Sequence, residues 1–446
     1  MTARPLAAVV LAAGLGTRMR SRRPKHLHPL LGRRLLDWPI AAARALGPEP
    51  LVVVCSPGTV EELEGTLPRG AVVAVQEEPR GTGDAAAAAR PALADFDGDV
   101  LVVAGDAALL SPGDLERLLE LHRREGAAAT VLSFEPEDAA GYGRVLRDAE
   151  GRLRAIVEAG DATPEELAVR EANSSVYVFA AGALWRALGR LDTDNAQNEL
   201  YLTDAVRHLV DDGRPVAVYR AGDPRAGEGV NTRADLAAAG ARLRDRILSA
   251  HMEAGVTIVD PATTWVEEGV EIEPDAVIHP FTVLRGRTVV RRGAEVGPHA
   301  VAVDAEIGEE ALVGPFCYLR PGTVLAARAK AGTFVELKQT AVGEGAKVPH
   351  LSYLGDAEVG EGTNVGAGTI TANYPHQEGR PKGRTTIGRN VRTGIHNGLE
   401  APVTIGDGAW IAGGSYITDD VPPDSLAGFP PRQVTKEGYL RGKRND

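Results

Sequence analysis

In the second half of the chain an aliphatic side chain returns again and again at intervals of six. Ile272, Ile278, Leu284, Val290 and Val296 are evenly spaced, and Ile307, Val313, Leu319 and Leu325 repeat the interval. Val342, Val348 and Leu354 follow, then Val359 and Val365. The last stretch carries Ile387, Leu399, Ile405, Ile411 and Ile417, with Thr393 in the sixfold slot. Glycine often comes next, as in Ile307-Gly308, Val342-Gly343, Ile387-Gly388 and Ile405-Gly406. This is the signature of a β-helix built from hexapeptide repeats: each aliphatic points into the coil, and small residues permit the corners. Accidental spacing in an ordinary β domain does not persist over so long a stretch. The polar residues 374–386 interrupt the period, and such an insertion in a solenoid emerges as a loop on one face, often the binding face.

The first half reads differently. Leu6–Leu11, Leu51–Cys55, Val72–Val75 and Asp99–Ala104 are short apolar runs with strand character, separated by helical stretches such as Leu35–Leu46 and Asp84–Leu93. Strands alternating with helices predict a mainly parallel, three-layer α/β sheet, in which ligands sit beyond the carboxyl ends of the strands. Between the halves, Leu236, Leu243 and Ile247 give Thr232–Ala250 one apolar helical face. The expected division is therefore 1–231, a connecting helix at 232–251, and a repeat domain at 252–446. The helix reads equally as the last element of the first domain. A length of 446 residues accommodates two or three domains.

Directly after the first apolar run comes Leu11-Ala12-Ala13-Gly14-Leu15-Gly16-Thr17-Arg18-Met19. A glycine pair there lets backbone N–H groups approach phosphates closely, although Gly14-x-Gly16 alone is neither a Walker A loop nor a full dinucleotide fingerprint. Arg18 and Lys25 add two cations to this phosphate-sized nest. The chain has 7 lysines against 42 arginines, and Lys25 is the only lysine in the first 329 residues. A site that needs a compact ammonium rather than a guanidinium fork explains such a survivor; chance retention on a surface is the alternative. Asp106, following Asp99–Ala104, is a plausible Mg²⁺ ligand, because Mg²⁺ takes few protein oxygens and shares the phosphates.

With Pro24-Lys25 added, the loop resembles the signature of the sugar-phosphate nucleotidyltransferases. Gly141-Tyr142-Gly143-Arg144, Glu158, Asn173 and Glu228-Gly229-Val230-Asn231 follow in family order. Further on, Leu319-Arg320-Pro321-Gly322, His350-Leu351-Ser352-Tyr353-Leu354-Gly355-Asp356 and Asn373-Tyr374 match an acetyltransferase half. Nearly the whole chain thus resembles the bifunctional N-acetylglucosamine-1-phosphate uridyltransferase/glucosamine-1-phosphate acetyltransferases. The resemblance implies a Rossmann-like nucleotidyltransferase domain followed by a left-handed parallel β-helix of hexapeptide repeats. It implies two reactions, acetyl transfer from acetyl-CoA to glucosamine-1-phosphate and uridylyl transfer from UTP to N-acetylglucosamine-1-phosphate, on the route to cell-wall polymers such as peptidoglycan.

Residue by residue, the resemblance implies a UTP and UDP-sugar site of Leu11, Ala12, Ala13, Gly14, Lys25, Gln76, Gly81, Thr82, Gly105, Asp106, Gly143, Glu158, Asn173 and Asn231. Gln76 and Gly81-Thr82 stand where the family reads uracil, Gly143, Glu158 and Asn173 hold the sugar, and Asp106 and Asn231 hold Mg²⁺. Arg18 and Lys25 offset charge during transfer. In the second half, Arg320, Lys338, Tyr353 and Asn364 bind the amino sugar phosphate, and His350 is the general base, a task that suits a group titrating near neutral pH. Ala367, Asn373, Tyr374, Ile395, Gly413 and Arg432 face acetyl-CoA. The family's acetyltransferase site lies between subunits, which implies a homotrimer. His350, His376 and His396 together could instead hold zinc, as in γ-carbonic anhydrases; the nucleotidyltransferase half and the lysines Lys338 and Lys382 argue against that.

The chain departs from the family pattern around both sites. Ala104 stands where Tyr is usual, Ala107-Ala108 replaces x-Pro, Asp84 replaces a common His, Ala159-Gly160 lies where a lysine is typical, and Ser174-Ser175 follows Asn173. Ile395 takes the place of a serine and Pro430 that of an arginine, with Arg432 two residues on. These changes bear on sugar preference and on acetyl-CoA binding. They keep open a pyrophosphorylase for a related sugar phosphate with a weakened acetyltransferase, and a non-catalytic scaffold of the same architecture.

Composition narrows the partners. Lys+Arg 49 against Asp+Glu 61 gives a net charge of −12, the wrong sign for a general nucleic-acid binder. Two cysteines, Cys55 and Cys317, offer no disulfide framework and fit a reducing compartment. Leu6–Gly14 is too short to span a bilayer and is followed by no signal-peptide cleavage pattern. The expectation is a cytoplasmic enzyme acting on small molecules, without membrane insertion.

Overall fold

The computed structural model describes residues 4–374, 381–429 and 433–439. The chain forms two compact units, Met1–Leu243 and Arg244–Asp446. The division falls inside the helix Arg233–Glu253, in which Leu243 and Ile247 are buried.

Among the described residues the first unit is built on a nine-stranded sheet. Its central order is Val216–Arg220, Ala129–Phe134, Ala172–Ala180, Asp99–Ala104, Leu6–Ala12, Leu51–Cys55, Ala71–Val75. Leu6–Ala12 pairs in parallel with both Leu51–Cys55 and Asp99–Ala104, whereas Ala172–Ala180 runs antiparallel to its neighbours. The apolar runs are continuous because both faces of the sheet are covered. Ala8 and Val10 pack into one core with Ile40, Val103 and Phe134, while Ala7 and Val9 pack into the other with Val102, Leu184 and Val206. The helix expected at Asp84–Leu93 is broken: an α-helix at Thr82–Ala88 gives way to a 3₁₀ turn at Arg90–Leu93. Pro91 is the reason, since it has no N–H to continue the helix and disfavours helical geometry in the residue before it.

The second unit is a parallel β-helix with three faces. The first face runs from Thr257–Ile258 to Lys347–His350, and the second from Trp265–Val266 to Tyr416–Ile417. The third runs from Glu271–Ile272 to Val403–Ile405. Every neighbouring pair is parallel and in register, as in Leu284↔Ala302 and Leu319↔Leu337. The sixfold aliphatics fill the interior: Ile278, Leu284, Val290, Val296, Ile307 and Leu319 are all fully buried. The interruption expected at 374–386 falls between the second-face strand Ile370–Ala372 and the third-face strand Thr385–Ile387, so that Thr385 and Thr386 already belong to the coil; residues 375–380 lie outside the described residues. The edge between the first and second faces turns through Phe281, His299, Phe316, Phe334 and Leu351, each at positive φ. Their rings stack in a ladder with centroids 4.6, 4.8 and 5.4 Å apart from Phe281 to Phe334. Among the described residues no helix is long and apolar enough to cross a membrane.

Candidate active sites

The strand Leu6–Ala12 ends at the loop Ala13–Gly16, which opens a cleft of about 640 Å³ at the carboxyl ends of the parallel strands. Leu11, Ala13, Gly14, Arg18, Lys25, Gln76, Gly81, Thr82, Asp106, Glu158 and Asn231 all line it, as does Ala104. Gly16 has φ 60°, and a Cβ there would come within 2.5 Å of Lys25 Cβ. The missing side chain lets the loop lie directly against the lysine.

Lys25 is the centre of the cleft's charge. Its ammonium is ion-paired with the Asp106 carboxylate and lies 3.3 Å from Asn231 Oδ1. Arg18 donates to the same Asn231 oxygen at 3.0 Å. Burial alone would raise the Asp106 carboxyl, but the Lys25 charge and hydrogen bond hold it below the usual carboxylate range. His26, fully enclosed beside them, is pushed down to about 4 by burial, with Lys25 adding and Asp106 opposing. Asn231 is fixed by its own backbone, whose N–H donates to Asp235 Oδ2 at 2.9 Å. Asp106 and Asn231 thus aim two hard oxygen atoms at one cation, a donor set that fits Mg²⁺ completed by phosphate oxygens. Among the described residues no group of three or more His, Cys, Asp or Glu converges to hold a metal without such help.

At the other end of the cleft, Glu158 accepts from Thr203 Oγ1 at 3.0 Å. Burial raises its pKa against that hydrogen bond, with Asp161, Asp204 and Glu199 adding. Four expected residues stand behind the lining rather than in it. Ala12 is buried, Gly105 donates its N–H to Leu11 O at 2.8 Å, and Gly143 backs onto the Glu158 carboxylate. Asn173 is buried and spends its amide on Tyr177 Oη at 2.7 Å, so that Tyr177 is the group that reaches the cleft. Ser175, marked in the sequence as a departure after Asn173, also lines it, as do Gln197, Glu199 and Tyr201, which were not singled out there. The polar run Asn195–Glu199 before a helix was the available signal. Leu200 is placed there by a non-local bond, Gly83 N–H to Leu200 O at 2.7 Å.

In the second unit, Arg320, Lys338 and Gly355 occupy successive coils at one edge of the second face, because Lys338 registers with Gly355 and Arg320 N–H bonds Leu337 O. Arg320 pairs with Glu336 Oε1 at 2.8 Å, and Lys338 lies 3.8 Å from Asp356 Oδ2. Asn373 donates to that same Asp356 oxygen. Lys382, from the inserted segment, touches Lys338 and sits 5.0 Å over the Tyr374 ring. An amine that gives up its proton here can accept a hydrogen bond from the ammonium that remains. Lys338 is accordingly lowered by its contact with Lys382 and Lys382 raised by its contact with Lys338. Tyr353 leans along the face so that its hydroxyl comes close to Gly355. Three cations, a phenol and an amide converge on one corner, an arrangement suited to a phosphate.

His350 is not part of that corner. It ends the first-face strand Lys347–His350, registers with Thr333 and is exposed. Asn364 lies on the same face, bridging Lys347 and Arg392. Ala367, Ile395 and Gly413 stack at the edge between the first and second faces: Ala367 O accepts from His396 N–H at 2.7 Å, and Gly413 packs on Ile395. The structure therefore separates the expected residues into a cationic corner and a second group around His350, at opposite edges of the second face. Arg432, Pro430 and His376 lie outside the described residues.

A family model described as nucleotidyl transferase matches residues 7–223. Proteins named bifunctional protein GlmU match almost the whole chain. The one from Mycolicibacterium gilvum is 46% identical, covering 98% of this chain and 92% of the relative. Those from Streptomyces avermitilis and Thermobifida fusca are 48% and 46% identical, each covering 99% of this chain and 95% of the relative.

Proposed function

The chain belongs to the family of the bifunctional protein GlmU, and from that premise we propose how its two units make UDP-N-acetylglucosamine. The second unit transfers acetyl from acetyl-CoA to glucosamine-1-phosphate, and the first transfers uridylyl from UTP to the N-acetylglucosamine-1-phosphate so formed. The observation that carries the first reaction is the convergence of Lys25, Arg18, Asp106 and Asn231 in one cleft.

In the first unit, an oxygen of the sugar-1-phosphate attacks the α-phosphorus of UTP in line, and the bond to pyrophosphate breaks. The Ala13–Gly16 loop approaches the phosphates with backbone N–H groups, and Arg18 and Lys25 offset the charge that develops. Asp106 and Asn231 hold Mg²⁺, which when bound supplies further charge neutralisation at the triphosphate. Glu158 and Tyr177, the latter positioned by Asn173, hold the sugar. Gln76, Gly81 and Thr82 receive the base.

In the second unit, Arg320, Lys338 and Tyr353 bind the sugar phosphate. His350 takes the proton from the amine as its nitrogen attacks the thioester carbonyl, and the CoA thiolate leaves. Ala367, Asn373, Tyr374, Ile395, Gly413 and Arg432 bind acetyl-CoA. His350 and the cationic corner are at opposite edges of one face, so a site using both is completed by a neighbouring copy, and the enzyme acts as a homotrimer. The exposed stacked stripe Phe281, Phe316, Phe334 and Leu351 on the His350 edge supports this packing. We place the enzyme in the cytoplasm, where UTP and acetyl-CoA are made.

A coupled assay over several sugar-1-phosphates, with and without acetyl-CoA, tests the reading. Preferred use of N-acetylglucosamine-1-phosphate, and of glucosamine-1-phosphate only when acetyl-CoA is present, is the expected result. A different preferred sugar would indicate that Ala104 and Gly160 have redirected the pocket.

A further inference from the structure

Both amide hydrogens of Gln76 are already committed within the chain. Nε2 donates to the Gly81 carbonyl oxygen at 3.0 Å and to Asp84 Oδ2 at 2.9 Å. Among the described residues no protein group donates to the Gln76 amide oxygen. Turning the amide over would set that oxygen against a carbonyl and a carboxylate, two acceptors with no hydrogen between them. The orientation is therefore imposed by its neighbours rather than by rotamer preference.

Those neighbours are themselves held. Gln76 is 6% exposed, and its backbone N–H bonds Cys55 O at 2.9 Å. Gly81 has φ 113°, and a Cβ there would come within 2.6 Å of Leu200 O, so its peptide is pressed against the opposite wall. Asp84 lies in the first turn of the helix Thr82–Ala88, behind the cleft lining.

An amide with its donors spent has only an acceptor to offer the cleft. Uracil presents a donor, N3–H, in the middle of its pairing edge, and cytosine presents a bare N3 lone pair there. Cytosine does carry a donor at N4, one ring position along, and the base would have to slide to use it. We propose that Asp84 is a specificity-determining positioning residue: by holding the Gln76 amide with its oxygen free, it makes the base pocket read a ring N–H and so select uracil over cytosine nucleotides. This rests on the reading of the cleft as the UTP site.

The test measures kcat/KM for UTP and for CTP in wild type, Asp84→Ala and Asp84→Asn. Asp84→Ala removes one of the two acceptors and frees the amide to turn. Its UTP-to-CTP ratio falls about tenfold or more, chiefly through KM for UTP, because one buried polar mismatch is relieved for the wrong base and a bond to the right base is loosened. Asp84→Asn keeps an acceptor oxygen and holds the ratio within about threefold. Acetyl transfer, in the other unit, is unchanged in both. A wild-type ratio in Asp84→Ala overturns the proposal, as does an Asp84→Asn ratio as low as that of Asp84→Ala. Should Asp84→Ala lose its thermal transition, equilibrium binding of UTP and 3-methyl-UTP to wild type decides instead: equal binding overturns the ring N–H reading, and much weaker 3-methyl-UTP supports it. If wild type turns over no UTP with any sugar-1-phosphate, the proposed reaction fails, and binding of UTP against CTP still reads the base selectivity by itself.

Discussion

Arg18 donates to the side-chain oxygen of Asn231 at 3.0 Å, although 213 positions separate them in the chain. The glycine loop after the first strand and the segment that opens the long helix are thereby parts of one device. With Lys25 against the same oxygen and paired with Asp106, the two cations and the two oxygen ligands proposed for Mg²⁺ share a single network, and a change in one is felt by the others.

Lys25→Ala and Arg18→Ala are expected to lower kcat for uridylyl transfer by about 10²–10³-fold each, the usual consequence of removing one preorganised charge donor from a transition state. Acetyl transfer, assayed on the same preparations, should be nearly unchanged. Wild-type uridylyl transfer by Lys25→Ala would show that the lysine serves Asp106 alone and never meets a phosphate.

Asp106→Asn and Asn231→Ala are expected to raise the Mg²⁺ concentration needed for uridylyl transfer. Each removes or weakens one of two protein oxygens, leaving the triphosphate to hold the ion with less help. Calorimetric titration of Mn²⁺ into protein with UTP present should show weaker binding in both variants. Unaltered affinity in both, with unaltered metal dependence of the rate, rejects the two-ligand site.

The β-helix was legible because its signal is local and repeated. Each sixfold aliphatic is fixed by its own place in a coil, so Leu284, Val290 and Leu354 could be assigned inward one at a time. The cleft was legible only where a motif marked it. Lys25 and Asp106 are 81 residues apart, and nothing in either segment announces that a carboxylate and an ammonium will meet. Asp356 was passed over for a similar reason: its bond to Asn373 spans 17 residues, one coil, and exists only once the coils stack. Asn173 was read from its motif as one of the residues that hold the sugar; the motif does not show that its amide also bonds Tyr177 Oη, four residues along the same strand. The separation of His350 from Lys338 also follows from stacking, since twelve residues of sequence carry the chain past the third-face strand Ala341–Val342, around two corners and into the next coil.

Asp99 predicts an acid-sensitive first unit. Its carboxylate is completely buried, accepts from Arg123 Nε at 2.8 Å, and lies 3.3 Å from Arg4 and 3.6 Å from His122. Burial raises its pKa, but the contacts with His122, Arg123 and Arg4 outweigh this and leave it lowered. A carboxyl whose folded pKa lies below its unfolded value contributes stability that is present above the unfolded value and lost as pH falls through the folded one. Thermal unfolding should therefore show the first unit losing stability below about pH 4, the ordinary aspartate range. Asp99→Asn should start less stable at neutral pH and lose less on acidification. Parallel pH profiles for the two proteins would remove Asp99 from the account.

His350→Ala is expected to abolish acetyl transfer to glucosamine-1-phosphate and to leave uridylyl transfer intact when N-acetylglucosamine-1-phosphate is supplied. The argument begins with the amine, whose lone pair must be free to attack the thioester. A base within hydrogen-bond reach removes the proton as the C–N bond forms, and losing such a base costs about 10²–10⁴-fold in rate. The competing account makes His350 a packing residue. Its position weakens that account, because the imidazole is exposed at a strand end while Val348, two residues earlier, fills the core. A packing residue would lower the melting temperature when truncated, and an exposed base would not. The melting temperature of the variant should therefore stay close to that of wild type, because the imidazole fills no part of the chain's own core. The rate of acetyl transfer should meanwhile collapse. A variant that melts normally and acetylates at close to the wild-type rate would assign the proton to another group and leave His350 without a part in the reaction.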